Sequence, residues 1–331
     1  MAALLLTRRR GLPRTVARNT RGKSWTAILD ALYAESWNAS LHRFRSPFAY
    51  RGMGREDHSL TSSLVRLAAG ADVARLETAL LRNFRKYAVS DGVRADSIWD
   101  WLALGQHRGL PTRLLDWTYS PLVALHFATE APEDMERDGV VWCVNFVEAN
   151  QRLPARLKRI MQREGSETAT IDMLKAIGDM RAFDALARPR STKRRSRGAE
   201  FLVFMEPPAI DRRILNQWAL FSLMSSPTAR MDAWLTEHPD LCRRVRIPAE
   251  LKWEIRDKLD QANINERILF PGLDGLSRWL TRYYLPATGS DRLDDRYAFH
   301  PDFDARDRNR RAGRPRRPAA RRPSRATAAR R

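Results

Sequence analysis

WDWLALGQHRGLPTRLLDWTYSPLVALHFATE, residues 99–130, holds more chemically committed side chains than any other span of its length in the chain. Trp99–Gly105 has the apolar content of a buried helix, and Gly109 with Pro111 ends it, because Pro lacks the amide and fixes φ. Gln106 and His107 stand side by side after that helix, at the start of an irregular segment that also carries Thr112, Arg113, Asp116 and Trp117. Thr118-Tyr119-Ser120-Pro121 then puts a hydroxyl at the cap and Pro at the first helical position. The helix it opens, Pro121–Thr129, is apolar on nearly every side and is expected to be buried. Two buried helices thus flank a loop bearing Gln, His, Thr, Arg and Asp, the way a rigid scaffold commonly presents a polar site.

Upstream, Ser24–Ser36 has Trp25, Ile28, Leu29 and Leu32 at helical spacing. Leu41–Arg51 reads as extended, with Phe48 and Tyr50 as strand formers leading into Arg51-Gly52. Leu60–Leu67 is an apolar connector. Val73–Ala88 is an amphipathic helix with Leu76, Leu80, Phe84 and Tyr87 as its core stripe and Arg82, Arg85 and Lys86 on a solvated face. Downstream, the apolar run Gly139–Val147 predicts a central strand and Glu200–Met205 another. Residues 156–187 read as a polar, partly helical insertion, and 189–197 as a basic exposed loop. Gln217–Met224 reads as a strand with Arg213 and Gln217 at its edge; Arg243–Ile247 is a short strand, and Pro248–Ala262 and Gly275–Tyr284 are helices. Strands do not alternate regularly with helices. The expected fold is therefore α+β, one mixed domain with a central short-stranded sheet of five to seven strands surrounded by helices.

With 331 residues, 43% of them hydrophobic, and ten Trp, the chain can build a substantial core. Its net charge of +20 belongs to the ends: residues 1–23 hold seven Lys and Arg and no acid, and residues 308–331 eleven Arg and no acid. The body between is close to neutral. This divides the chain into a flexible basic leader (1–23), a folded domain (24–287), a linker (288–307) and an Arg/Ala/Pro tail (308–331) too poor in apolar residues to fold. The leader reads as a transit peptide or as a start codon placed too early; its Ala-Ala-Leu-Leu-Leu run is too short to span a membrane. Cys143 and Cys242 lie far apart without metal spacing, which suits a reduced, cytoplasmic compartment and predicts no metal site.

Tyr50-Arg51-Gly52 and the Gln106–Ala128 block together resemble the two signatures of FRG-domain proteins, the Phe/Tyr-Arg-Gly triplet and QHxGxPTRLLDWTxSPxxALxFA. The stretches Arg213–Phe221 and Asn263–Leu276 are similar to later blocks of that family, so the resemblance runs roughly from Trp25 to Leu285. It implies a fold-level identity, a set of candidate site residues without a settled activity, and a setting in bacterial and phage-associated proteins, some tied to defence; the polar site around Arg51 and Gln106–Thr118 is expected to bind a nucleotide or NAD-like anionic ligand. Arg51, at a strand end beside glycines, is placed to grip a phosphate or carboxylate, or else to pair with an acid such as Asp116. Gln106, Thr112, Arg113, Thr118 and Ser120 complete the candidate ligand-binding set. Arg113 and Asp116 either pair with each other or divide the ligand between them; Thr118 and Ser120 either cap the helix or bind. His107, Asp116 and Gln217 are the catalytic candidates, with His107 either an acid/base or a structural donor. Trp99 and Trp101 read as packing residues, and Trp117 as a packing anchor or a stacking surface for a base or nicotinamide ring.

The order Arg51, Thr118–Phe127, then a late strand with a polar edge is similar to the Arg–Ser–Glu layout of ADP-ribosyltransferases, which makes NAD the first candidate cofactor. Gln217 stands where the transferase carboxylate is wanted, with Asp116 or Glu206 as substitutes. The alternatives are a nuclease-type effector using His107 and the two arginines, and a non-catalytic nucleotide-binding module. In the latter the basic ends would hold nucleic acid without sequence preference.

Overall fold

The computed structural model of the chain describes residues 19–187 and 200–285. The leader up to residue 18, the basic loop 189–197, the linker and the Arg-rich tail lie outside the described residues. Of the described residues, those up to 279 form one compact unit and 280–285 fall outside it. The sheet and the helices packed on it belong to that unit.

The fold is a mixed α+β domain, as the sequence predicts. Its nine described strands are β1 (Asn19–Arg21), β2 (Trp37–Asn38), β3 (Arg43–Phe44), β4 (Phe48–Met53), β5 (Leu115–Thr118), β6 (Gly139–Asn145), β7 (Leu202–Met205), β8 (Ala219–Met224) and β9 (Cys242–Ile247). Seven form one sheet in the order β1-β9-β6-β4-β5-β8-β7, antiparallel throughout except that β1 runs parallel to β9; β2 and β3 form a separate ribbon. Asn19–Arg21, assigned from sequence to the leader, is the sheet's edge strand.

The helices are α1 (Trp25–Tyr33), α2 (Ser63–Ala68), α3 (Val73–Ala88), α4 (Ile98–His107), α5 (Pro121–Ala128), α6 (Phe146–Asn150), α7 (Ala155–Glu164), α8 (Ile171–Ile177), α9 (Met180–Ala185), α10 (Arg212–Asn216), α11 (Met231–Glu237), α12 (Lys252–Gln261), α13 (Glu266–Leu269) and α14 (Leu273–Tyr283). Strand alternation sorts the core. Ala49, Val140, Trp142, Val144, Trp117 and Leu220 point to one face and pack with α6 and α11. On the other face two separate helical covers meet the sheet. One, formed by α1, α5 and α12, packs on Phe48, Tyr50, Val141, Cys143 and Val245. The other, formed by α4 and α7–α9, packs on Val203, Met205, Phe221 and Leu223. Between them lies β5.

Four sequence expectations change. Residues 156–187 are no polar insertion: Leu157, Met161, Leu174, Ile177 and Phe183 are buried and build the second helical cover. Residues 63–68 of the apolar connector form α2. In α3 the stripe lies one position further on, with Glu77, Leu81 and Ala88 buried and Tyr87 exposed. The segment after Pro111 is irregular only to Leu114, since β5 occupies the centre of the sheet. Its alternation of Leu115 and Trp117 inward with Asp116 outward is a strand period too short to stand out among the polar residues around it.

Candidate functional site

The sheet is split at its centre. β4 pairs with β6 at six positions and β5 with β8 at four, but β4 meets β5 only at Tyr50–Thr118. Beyond that pair the two strands part, and a cleft of about 580 Å³ opens between them. Main-chain groups along such an opening need other partners. Arg51 supplies one, its Nη1 donating to the Asp116 carbonyl oxygen across the gap.

Gly52 sets the depth of the cleft's wall. A Cβ there would lie 1.8 Å from the carbonyl oxygen of Ala124, so only glycine lets α5 sit this close to β4. The start of α5 is as the sequence predicts: Ser120 caps it by accepting from the Val123 amide, and Pro121 takes the first turn. On the far side, a capping box between Ser97 and Asp100 starts α4. Trp99 anchors that helix through Nε1 to the Gly178 carbonyl at 2.8 Å. The helix runs on to His107, so Gln106 and His107 belong to its last turn rather than to the loop, and both line the cleft.

Gln106 holds the carboxylate of Asp116. Its amide nitrogen lies 2.9 Å from each Asp116 oxygen, and its carbonyl accepts from the Thr112 hydroxyl. The buried Thr112 thus acts through Gln106 and does not line the cleft itself. Asp116 remains exposed to the cavity. His107 Nε2 is hydrogen-bonded to Asp211, the N-cap of α10, whose other oxygen accepts the Arg213 and Ile214 amides. Burial pushes the Asp211 carboxyl up, but the hydrogen bond and charge of His107 and those amides outweigh it, and its pKa lies below the ordinary carboxylate value.

Three arginines converge on the cavity: Arg51 from β4, Arg66 from α2 and Arg213 from α10, the last seated 4.9 Å over the Phe270 ring. Burial lowers the pKa of Arg51, with the Asp116 charge opposing and the Arg66 charge adding to the effect. A guanidinium stays protonated regardless. The buried Nε of Arg51 has no hydrogen-bond partner among the described residues.

The remaining candidates serve other ends. Arg113 does not face Asp116. It is buried under α3, where Nε and Nη2 meet both Glu77 oxygens and Nη1 meets Asp184. The Thr118 hydroxyl donates to the Gln217 carbonyl and accepts from the Ser120 amide, tying β5 to the turn before β8. Ser120 is a cap. Gln217 lines the cleft, but its side-chain amide donates to the Leu269 carbonyl at 3.0 Å, and it sits in the turn after α10, not on β8. Glu206 accepts from Tyr119 and Thr168 and lies outside the cleft, which leaves Asp116 as the carboxylate in reach. Sequence reasoning missed Arg66, His58 and Asp211. Asp211 carries a readable cap signal, but its pairing with His107 is made across 104 positions by the fold alone.

A family model described as the FRG domain matches residues 46–137. The chain carries an FRG domain. No curated protein and no solved structure matches it. The matched FRG span supplies β4, α2, α4, β5 and α5, and with them Arg51, Gln106, His107 and Asp116; α10 and the turn before β8 lie outside it and close the cleft with Arg213 and Gln217, while Asp211 reaches it through His107. Among the described residues, no group of three or more His, Cys, Asp or Glu side chains is placed to hold a metal ion, and no helix is long and apolar enough to cross a membrane.

Proposed function

We propose that the split-sheet cleft binds the phosphate-bearing part of a nucleotide or dinucleotide, with NAD the first ligand to test. The observation that carries the reading is Arg51: a half-buried cation whose buried Nε has no partner among the described residues, with Arg66 and Arg213 lining the same cavity. A unit negative charge 4 Å from a guanidinium gains about 4 kcal/mol at an effective dielectric near 20, where the same contact in bulk water gains about 1. A site that gathers cations and leaves donors unused is stabilised by an anion. The volume lies within the range of small-molecule sites.

Asp116 is the group we assign to chemistry. Gln106 fixes its carboxylate without neutralising it, in a cavity lined also by Arg51, Arg66 and Arg213. A carboxylate so held can stabilise a cationic ribosyl centre as nicotinamide leaves, the step an ADP-ribosyltransferase-like effector requires. Phosphodiester cleavage is the second reading. It draws on the His107–Asp211 hydrogen bond, which orients an imidazole as a general acid or base.

Thermal-shift measurements on the full chain with NAD, ATP, cyclic dinucleotides and short RNA test the proposal. A ligand at a hundred times its Kd adds about 2.7 kcal/mol, or roughly 5–10 °C in Tm for a domain of this size. NAD should shift the wild type and not Arg51→Ala, and nicotinamide release should then be lost in Asp116→Asn. A shift by RNA with strand scission lost in His107→Ala would transfer the site to the second reading. No shift by any nucleotide would overturn both.

A further inference from the structure

We infer that the groove bounded by α3, α4 and α9, away from the split-sheet cleft, is a binding site for the sugar–phosphate backbone of a single-stranded nucleic acid. The groove holds about 1600 Å³. Seven cations line it, Arg113 in its floor and six others: Arg75, Arg82, Arg85, Lys86, Arg94 and Arg181. None of the six forms an ion pair among the described residues.

Four of the five carboxylates of the same lining are already engaged. Glu77 and Asp184 form the floor and are held by Arg113. Asp72 and Asp179 are the N-caps of α3 and α9, accepting the Arg75 and Ala182 amides. Asp96 is the remaining one, exposed on the rim. The surface therefore presents unpaired positive charge above a floor whose charges are satisfied within the protein.

The placement of the cations favours a polyanion with a repeating charge. Arg75, Arg82 and Lys86 stand at i, i+7 and i+11 of α3, on one helix face, with rises of about 10 and 6 Å between them. Arg85 lies 5.9 Å over the Trp101 ring, which steadies it toward the groove. A groove that tracks the backbone with cations is how single strands are held without sequence preference. The chain's acid-free ends, with seven and eleven basic residues, suit the same polyanion.

The test separates the groove from those ends and from the cleft. An oligouridylate carrying 5-iodouracil is bound to the full chain, wild type and the triple variant Arg75→Ala/Arg82→Ala/Lys86→Ala, over a salt series. All three positions are solvent-facing, and unchanged circular dichroism confirms that the variant folds. The slope of log affinity against log salt should drop by about 2 in the variant, since each lost phosphate contact removes about 0.7. Photo-crosslinks should map to residues 73–96, and Arg51→Ala should bind as the wild type does. An unchanged slope, or crosslinks confined to residues 1–23 and 308–331, would overturn the inference. So would loss of binding in Arg51→Ala, which would place the RNA in the cleft instead.

Discussion

Arg51, half-buried, and Arg113, buried, both come from the segments that carry the family resemblance, and the fold treats them in opposite ways. Arg113 meets two carboxylates that use Nε and both terminal nitrogens. Arg51 meets one carbonyl oxygen, keeps a buried Nε without a partner, and shares its cavity with further cations. The first arrangement is complete in the folded chain and holds α3, α9 and the segment before β5 together. The second leaves a donor unused, and under the proposed function an anionic ligand completes it. Sequence cannot tell the two apart, because the carboxylates that decide the matter come from Glu77 and Asp184, 36 and 71 positions away.

The contrast breaks most visibly at Arg113. Arg113→Ala leaves Glu77 and Asp184 buried without their counter-charge and should cost about 3–5 kcal/mol in a denaturant titration. Arg51→Ala removes one hydrogen bond to a carbonyl and relieves repulsion with Arg66, so its stability should stay within about 1 kcal/mol of wild type while ligand binding disappears. If the two effects were exchanged, the division into structural and functional arginine would be wrong.

Acid titration sharpens the cleft side. The folded-state pKa of Asp211 lies below its unfolded value, so its contribution to stability is present above the unfolded pKa and is lost as pH falls through the folded one. Asp211→Asn should narrow its deficit against wild type as pH drops below about 4, whereas it should keep a constant deficit from about pH 5 to 6. A deficit that stays constant down to about pH 2 would show that the carboxylate is not ionised by its contact with His107. The smallest effect concerns thiols. Burial pushes Cys143 up to about 12, so at neutral pH it should resist alkylation in the native state, and denaturation should release it.

Much of the scaffold was legible in the sequence because it rests on local rules. The α3 boundaries follow from amphipathic period, the start of α5 from Ser120-Pro121, and β6 from an unbroken apolar run. What escaped depends on long-range partners. β5 is a four-residue strand that exists because β4 and β8 flank it, and residues 156–187 hide a core face behind charged residues that cover the outer one. The site was half legible. Arg51, Gln106, His107 and Asp116 do meet in the cleft, while Thr112, Thr118 and Ser120 position other groups and Arg113 is a core ion pair. Asp211, Arg66 and His58 join them only through the fold.

Everything proposed for the cleft rests on the split between β4 and β5 being an anion site built on Arg51. Isothermal titration of the full chain with NAD and with ADP, repeated on Arg51→Ala and on Arg113→Lys at a temperature where each is folded, addresses that directly. Saturable binding in the wild type and in Arg113→Lys, abolished in Arg51→Ala, is the expected result. Binding that survives Arg51→Ala undiminished, or that neither nucleotide shows in the wild type, would contradict it.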